Sequence, residues 1–290
     1  MRPPVDVVVP VGGGDPAAVA ARMRGALSLA AGDSLTVVDN RGASSSTSDV
    51  VVASEVRTSY FARNSGASRG SAEWIVFLDA DVEPSPGLLE AYFAVAPSSS
   101  VGVLAGGIED SAPDAGAGAA VRYAALKRSM SQETVLAHGE WAFAQTANCA
   151  VRRAAFSSVG GFRSGVRSGG DADLCWRLRT AGWSLERRDG ARVVHRSRTS
   201  IPKLLANRFR HGTGAGWLSR EHPGALPARS KPGLAWWLIR EWARAARLRA
   251  RGDRDGALVA MLDPAAVWAF ELGRLIPNRP LHRTGPKCVS

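Results

Sequence analysis

Apolar residues along this chain gather in short runs, and longer stretches of mixed polarity separate those runs. The first run, Val5–Val11, is rich in β-branched residues, as is typical of a strand buried on both faces. Asp15 and Pro16 follow three glycines and predict a helix that continues to about residue 31, because Asp caps helices and Pro suits their first turn. Similar apolar runs predict strands over residues 35–39, 50–52, 74–79, 101–107 and 192–195.

Helices are predicted between most of these strands. The mixed stretches predict helices over residues 61–71 with a break at Gly66, 121–131, 152–159 and 171–182, and a strand-like segment over 141–151. Strands that alternate with helices indicate an α/β protein with a Rossmann-like, mostly parallel sheet and helices on both faces. Two glycine-rich segments, 160–170 and 211–216, are predicted to be mobile loops that tighten when a ligand binds.

Three of the predicted strands end in flexible or polar segments. These segments are residues 10–14, Asp39 with Asn40, and Asp79-Ala80-Asp81. Because ligands of such sheets bind at the carboxyl ends of the strands, the coincidence predicts a nucleotide site at this edge.

Asp79 and Asp81 are two positions apart at the end of an apolar strand. Side chains alternate along a strand, so both carboxylates are expected on one side. Two close carboxylates repel each other unless a cation lies between them, and Mg²⁺ or Mn²⁺ suits carboxylates combined with phosphate oxygens. The alternative is a solvated acidic turn that ends the strand.

Several motifs, taken in order, are similar to those of glycosyltransferase family 2, which has the GT-A fold. The matching segments spread over about residues 5–200, and their ordered set is far more specific than any one of them. They are residues 7–10, 37–40, 62–70, 75–81, 147–153, 160–162 and 171–178. The resemblance implies inverting transfer of a sugar from a nucleoside-diphosphate sugar.

The resemblance also implies where the donor lies. It places the donor against Pro10, Val11, Asp39, Arg63 and Asn64, together with the acidic motif. For Asp39 and Arg63 an ordinary surface ion pair is the alternative.

The resemblance further suggests that His195 joins Asp79 and Asp81 at the divalent cation or at the diphosphate. A neutral imidazole can bind a metal and a protonated one can pair with phosphate. The alternative for His195 is a partly buried histidine at the end of a strand.

Inversion in one displacement needs a base on the acceptor side. By resemblance this base is Asp171, with Asp173 as the second candidate, although Gly170 replaces the glutamate that the family has before the base. The alternative for both aspartates is helix N-capping. The chain lacks the Gln-x-x-Arg-Trp motif of some members, which favours transfer of a single sugar over processive synthesis.

Charge is distributed unevenly along the 290 residues. The last 90 residues carry 16 basic and 6 acidic side chains, a net +10, whereas the first 200 carry 21 and 20, a net +1. We therefore expect a catalytic domain over 1–200, with a donor half to about 110 and an acceptor half from 111, and a helical Arg- and Trp-rich extension over 201–290.

One predicted helix of the extension has an arginine stripe. Arg240, Arg244, Arg247 and Arg251 recur every three or four positions, and three tryptophans, 236, 237 and 242, accompany them. Residues 234–251 thus predict either peripheral contact with a membrane or packing on the catalytic domain. A nucleic-acid partner is disfavoured because the body is nearly neutral.

Other functions and settings remain open at this point. A nucleotidyltransferase acting on sugar phosphates also uses paired carboxylates. In that class a basic residue follows the glycines after the first strand, and this chain lacks it.

The three cysteines, Cys149, Cys175 and Cys288, match no disulfide or metal set. They favour a cytoplasmic location, with a peripheral position at the inner face of the membrane as the alternative. The span 256–276 carries four charged or proline residues, so we expect it not to cross a bilayer. The acceptor can be a lipid, a peptide, a polysaccharide or a small metabolite.

Overall fold

The computed structural model describes residues 2–44, 46–128, 130–196 and 200–280. Within these ranges, eight strands form one sheet that ten α-helices and one 3₁₀ helix surround. In chain order the elements are β1 (Val5–Val11), α1 (Pro16–Ala26), β2 (Ser34–Asp39), β3 (Val50–Val52), α2 (Ser59–Ala67), β4 (Trp74–Leu78), β5 (Val82–Pro84), α3 (Leu88–Tyr92), β6 (Val101–Asp110), α4 (Ala119–Leu126), α5 (Gln132–Leu136), the 3₁₀ helix (Gly139–Trp141), β7 (Asn148–Arg152), α6 (Arg153–Ser158), α7 (Gly170–Thr180), β8 (Ser184–His195), α8 (Ile201–Glu221), α9 (Lys231–Ala250) and α10 (Arg254–Gly273).

The strands lie in the order β3-β2-β1-β4-β7-β6-β8-β5. The first four are parallel, β7 is antiparallel to both of its neighbours, β6 is parallel to β8, and β5 is antiparallel to β8. Asn148, the first residue of β7, pairs with Leu78, the last residue of β4. Residues 142–147 therefore reach the same edge at which β1, β2 and β4 end.

Two hydrophobic clusters cover the two faces of the sheet, as the alternation along β1 predicts. Val7 and Val9 pack on one face with Met23 of α1, whereas Val8 packs on the other face with Phe77 of β4 and Leu174 of α7. All of these side chains are fully buried or nearly so. The α/β architecture with helices on both faces is confirmed.

The helix α1 begins as predicted and ends earlier than predicted. The Asp15 side chain accepts a hydrogen bond from the Ala17 amide, and Pro16 is the first helical residue. The helix ends at Ala26 because Asp33 accepts hydrogen bonds from the amides of Ala30 and Val5, which holds residues 27–33 in a turn.

Gly66 lies inside α2 and does not break it, so that prediction is wrong. A Cβ atom at this position would collide with the Val8 side chain of β1 and lie 3.0 Å from Val38 of β2. Glycine therefore serves close packing of α2 on the sheet.

Residues 141–151 are predicted to be strand-like, and only the last part of this segment is a strand. Residues 139–141 form the 3₁₀ helix, and regular pairing starts at Asn148. In between, the Gln145 amide donates to the Gln132 side chain, a bond that replaces strand pairing. By contrast, β8 is longer than predicted. It starts at Ser184, eight residues before the predicted strand.

The segment 211–216 is helical, so the prediction of a mobile loop there is wrong. It forms the middle of α8, and Gly212, Gly214 and Gly216 are buried. Side chains at Gly212 and Gly216 would collide with the backbone of Phe270 and Arg274 at the end of α10. The glycines let two long helices cross at close range.

The C-terminal helices contact the catalytic part directly. Asn278 accepts hydrogen bonds from the amides of Arg167 and Ser168, and Asp263 of α10 accepts from Tyr123 of α4.

By length and mean hydropathy alone α10 would be able to cross a membrane. A third of its most apolar stretch is buried within the protein. The predicted domain boundary at residue 200 stays a prediction.

The cysteines are unpaired where the structure describes them. Cys149 and Cys175 are buried and free, and Cys288 lies outside the described residues. The cytoplasmic location that the cysteines favour stays a prediction.

Candidate functional site

The acidic turn Asp79-Ala80-Asp81 lies where β4 ends, as the sequence predicts. Arg22 of α1 holds the turn in place by donating hydrogen bonds to the backbone carbonyls of Ala80 and Val82. The side chains of Asp79 and Asp81 remain 31% and 53% exposed. Both carboxylates are thus fixed by their backbone and accessible from solvent.

Arg63 of α2 is the cation of this site. Its guanidinium lies 2.5 Å from Asp79 Oδ1, although the side chain is almost completely buried. The guanidinium also stacks near the rings of Tyr60 and Phe162, 5.6 and 6.0 Å from their centroids. Its Nε atom is buried and has no hydrogen-bond partner among the described residues.

His195, the last residue of β8, faces the second aspartate of the turn. Its Nε2 atom lies 3.4 Å from Asp81 Oδ2, and its Nδ1 atom lies 3.6 Å from Asp110 Oδ1. Burial alone would lower the pKa of His195, but the carboxylates of Asp110 and Asp81 raise it to about 9. The imidazole is therefore held between two carboxylates at the edge of the sheet.

The acidic turn suits a divalent cation that takes most of its ligands from phosphate and water rather than from protein side chains. Among the described residues, no group of three or more His, Cys, Asp or Glu side chains is arranged as a metal site. Neighbouring ligands of an octahedral Mg²⁺ lie about 3 Å apart, and such an ion commonly takes one or two carboxylates plus phosphate oxygens and water. Asp79 and Asp81 are accessible carboxylates of that kind, and His195 lies 3.4 Å from Asp81.

Asp171 lies in the first turn of α7 and is half-buried. Its Oδ1 atom accepts from the amide of Ala172 at 3.1 Å and lies 3.5 Å from the hydroxyl of Tyr60. Burial raises the pKa of Asp171, the Arg63 guanidinium lowers it and the Asp79 carboxylate raises it. Asp171 is thus within electrostatic range of the Arg63–Asp79 pair.

Asp173 has a different environment, although it is only two residues further along α7. It is fully buried, and its Oδ2 atom pairs with Arg177 at 2.8 Å. Its Oδ1 atom lies 3.0 Å from His222 Nε2 and 3.5 Å from Arg163 Nε. These contacts connect α7 to the C-terminal end of α8 and favour a structural role.

Asp39 is fully buried at the end of β2. It accepts hydrogen bonds from the amides of Arg41, Gly42, Ala43 and Ser44 and from the Ser44 hydroxyl. Burial alone would raise its pKa, but these donors lower it to about 2. Its carboxylate stabilises the loop after β2.

The other predicted donor residues are Pro10, Val11 and Asn64. Pro10 and Val11 are buried at the end of β1, and the Val11 carbonyl accepts from the Asn40 amide at 3.1 Å. Asn64 of α2 donates to the Phe162 carbonyl at 2.8 Å and accepts from its amide at 3.0 Å. Through these bonds Asn64 positions residues 160–162.

Residues 160–170 are packed at several points. The Phe162 ring is buried against Tyr60, Phe77 and Phe156, with centroids 5.2–5.5 Å apart, and Asn278 binds the amides near the end of the segment. The predicted tightening of this segment on donor binding stays a prediction.

Three residues of the site carry no signal that sequence reasoning used. Arg22 lies inside a predicted helix, whereas Tyr60 and Asp110 lie just outside a predicted helix and a predicted strand, and no motif points to any of the three. Only the fold shows that Tyr60 approaches Asp171, that Asp110 faces His195 and that Arg22 binds the acidic turn.

The fold and the acidic edge of the sheet define a class of enzyme. The model of the family described as "Glycosyltransferase like family 2" matches residues 2–214, so the chain belongs to this family of glycosyltransferases. The match runs into α8 and favours this class over the nucleotidyltransferases.

Two curated relatives are similar to more than half of the chain. A pre-mycofactocin glycosyltransferase of Mycobacterium tuberculosis (strain CDC 1551 / Oshkosh) is 33% identical over 166 residues, 56% of this chain and 35% of the relative. Glycosyltransferase AglE of Haloferax volcanii is 30% identical over 166 residues, 57% of this chain and 53% of the relative. The chain thus spans about a third to a half of the length of these relatives.

Solved structures with the same fold include two glycosyltransferases. The mannosyltransferase PcManGT from Pyrobaculum calidifontis, in complex with GDP-Man and Mn²⁺, has a TM-score of 0.57, with 16% identity and coverage of 95% of this chain and 85% of that one. Glucosyl-3-phosphoglycerate synthase from Mycobacterium tuberculosis, in complex with Mn²⁺ and UDP-glucose, has a TM-score of 0.50, with 17% identity and coverage of 75% and 79%. These similarities confirm the GT-A fold.

Proposed function

We propose that this glycosyltransferase moves a single sugar from a nucleoside-diphosphate sugar to an acceptor, with inversion at the anomeric carbon and with assistance from Mg²⁺ or Mn²⁺. One observation carries the proposal. Arg63 contacts Asp79 of the acidic turn and lowers the pKa of Asp171, so the candidate diphosphate side and the candidate base lie close to the same buried cation.

The donor diphosphate is proposed to lie against the acidic turn. Asp79, Asp81 and His195 would hold the divalent cation, which would neutralise the diphosphate as it leaves. The two fold relatives were solved with nucleotide sugars and Mn²⁺, which supports a donor and a cation of these classes. Pro10 and Val11 would form the floor beneath the nucleoside, and Asp39 and Asn64 would position the loops beside it.

Asp171 is proposed to be the general base. The acceptor hydroxyl or thiol gives its proton to the Asp171 carboxylate as its oxygen or sulfur forms a bond to the anomeric carbon. The bond from that carbon to the diphosphate oxygen breaks on the opposite side, and the electron pair leaves with the diphosphate. The raised pKa of Asp171 makes its carboxylate a stronger base than an ordinary one.

Arg63 is proposed to let Asp79 and Asp171 be ionised together. Two nearby carboxylates normally raise each other's pKa, and a buried guanidinium between them offsets that repulsion because it stays charged.

Tyr60 is proposed to take over the positioning that the missing glutamate would supply. A Cβ atom at Gly170 would lie 2.8 Å from the Tyr60 ring, so the ring occupies the space beside Asp171. Burial raises the pKa of Tyr60, which keeps its hydroxyl protonated and able to donate to the Asp171 carboxylate 3.5 Å away.

A donor panel tests the proposal. Purified protein with Mg²⁺ or Mn²⁺ is incubated with GDP-mannose, UDP-glucose and other nucleotide sugars, and release of nucleoside diphosphate is measured. One donor should be hydrolysed slowly without an acceptor, and the anomeric configuration of the released sugar, read immediately by NMR, should be inverted. Retention of configuration, or no release from any donor, would contradict the proposal.

The role of the acidic turn is tested separately. Asp79→Ala and Asp81→Ala should abolish transfer and weaken donor binding measured by calorimetry, because the diphosphate loses its counter-charge. Glu83→Gln is the matched control, since Glu83 is an exposed carboxylate of the same segment that pairs with Arg196. Full activity in excess chelator would rule out the metal-assisted mechanism.

Three further predictions accompany this proposal. We infer a cytoplasmic location, a catalytic domain up to about residue 200 and a helical extension after it. The acceptor remains open among lipid, peptide, polysaccharide and small metabolite.

A further inference from the structure

The helical hairpin of α9 and α10 carries most of the exposed apolar surface. Of the ten large hydrophobic residues that are exposed in the described part of the chain, seven lie between residues 236 and 276. We call these seven the hairpin face. They are Trp236, Ile239, Trp242, Met261, Leu272, Leu275 and Ile276.

The hairpin face is continuous across the two helices. On α9, Leu234 and Ala245 point into the protein, whereas Trp236 and Ile239 are 63% and 58% exposed on the opposite side. The indole nitrogen of Trp242 donates to the Met261 carbonyl of α10 at 3.3 Å, which joins the exposed apolar stripes of both helices. On α10, Met261 and Leu272 are eleven residues apart, three helical turns, and so share one side.

A border of arginines runs along the hairpin face on α9. Arg240, Arg244, Arg247 and Arg251 line a shallow depression of about 340 Å³. Within the described ranges, Glu241 pairs with Arg244 at 3.2 Å, and no carboxylate lies within ion-pair distance of the other three. An apolar strip with exposed tryptophans is therefore edged by four arginines, three of which have no carboxylate partner among the described residues.

We propose that the hairpin face docks on the surface of a bilayer that contains anionic phospholipid. Tryptophan favours the boundary between headgroups and acyl chains, and a helix with an apolar face and basic edges lies in that plane. Each arginine near an anionic surface strengthens binding about fivefold. A nucleic acid would match the arginines but would leave the central Trp, Ile and Leu side chains without apolar partners.

Docking in this way would hold the catalytic domain at the membrane in a fixed orientation. Gly212 and Gly216 of α8 pack closely on the end of α10, and His222 at the end of α8 contacts Asp173 of α7. The inference does not depend on the reaction mechanism, because none of the residues of the hairpin face belongs to the candidate site.

Vesicle flotation tests the inference. The full chain is mixed with phosphatidylcholine vesicles, with or without about one third phosphatidylglycerol, at low and high salt. We expect co-flotation with the anionic vesicles, reduced by salt, and at most weak recovery with phosphatidylcholine alone. Equal recovery on both vesicles, or none on either, would overturn the inference.

Two sets of variants sharpen the test. Trp236→Ser with Ile239→Ser should lower the vesicle affinity at least tenfold, and Arg240→Gln with Arg247→Gln should lower it about 25-fold at low salt. The matched control is Val95→Ser with Arg69→Gln, which removes an exposed apolar side chain and an exposed charge elsewhere. All three proteins should keep the unfolding midpoint and the nucleoside-diphosphate release of the parent chain.

Three outcomes would assign the hairpin face to another occupant and overturn the inference. A stable dimer that Trp236→Ser with Ile239→Ser converts to monomer would mean that a second copy covers the face. Tighter, salt-sensitive retention on nucleic acid than on anionic vesicles would indicate a nucleic-acid partner. Resistance of the bound protein to alkaline carbonate extraction would mean that α10 inserts across the bilayer.

Discussion

Asp171 and Asp173 lie two residues apart in the first turn of α7, yet their surroundings differ completely. Asp171 is half-buried and lies 3.5 Å from the hydroxyl of Tyr60. Asp173 is fully buried and pairs with Arg177, His222 and Arg163. Two positions on a helix differ by about 200°, so one side chain faces the site and the other faces the interior.

This difference is the reason that we propose Asp171 for the chemistry and Asp173 for a structural role. A carboxylate that several cations and donors already satisfy is a poor proton acceptor and a good anchor. A carboxylate that burial disfavours, with few partners of its own, is available to accept a proton. Asp39 resembles Asp173, because loop amides already donate hydrogen bonds to its carboxylate.

The largest effect is expected from Asp171→Asn. The amide keeps the shape of the side chain and removes the proton acceptor, so turnover should fall about 10²–10⁴-fold, the usual contribution of a general base. Donor affinity should stay within a few-fold, because donor and cation bind without the base. Stability should stay the same or rise, since burial disfavours the ionised form. Steady-state kinetics and donor calorimetry test this, and unchanged turnover would place the base elsewhere.

Asp173→Asn should act on stability instead. Removing one partner from a buried ion pair leaves Arg177 and His222 uncompensated, at a cost of about 3–5 kcal/mol of unfolding free energy. Urea unfolding measures this loss, and Asp171→Asn in the same helix is the matched control. If Asp173→Asn instead folds normally and is inactive, Asp173 is the base and the comparison is reversed.

Asp39→Asn should cost about 2 kcal/mol of unfolding free energy at neutral pH, because the loop amides stabilise the carboxylate form. The folded-state pKa is lowered from 3.8 to about 2. The contribution is therefore complete above about pH 4 and is lost as the pH falls towards 2. Unfolding measured between pH 3 and pH 7 should bring the wild type and the variant closer together at the acidic end. A difference that is constant with pH would contradict this assignment.

Tyr60→Phe should have the smallest effect, about tenfold on kcat/KM. Loss of the hydroxyl near Asp171 should also raise the pKa of the base, which would move the acidic limb of the kcat/KM profile to higher pH. Tyr123→Phe is the matched control, since Tyr123 donates to Asp263 away from the site. A loss of activity without a shift of that limb would mean that Tyr60 only packs against Gly170.

The periodicity and order of the motifs were enough to predict the class of fold. Strands that are buried on both faces are expected to be apolar throughout. β4 follows that rule from end to end, and β1 follows it except at Asp6, whose buried carboxylate pairs with Arg153. The acidic turn was also predictable, because Asp79 and Asp81 follow a strand directly and their backbone fixes their position. Local chemistry along the chain determines these features.

The sequence by itself therefore determined the α/β sheet, the acidic edge and the membership of the family. Only the tertiary structure decided that Asp173 of α7 is enclosed while Asp171 lies beside Tyr60, and that Gly212 to Gly216 form a helix. Glycine-rich segments look flexible in sequence, but close packing of α8 on α10 needs the same residues. Likewise, the environment of a carboxylate depends on side chains as distant in sequence as His222 from Asp173, and only folding brings them together.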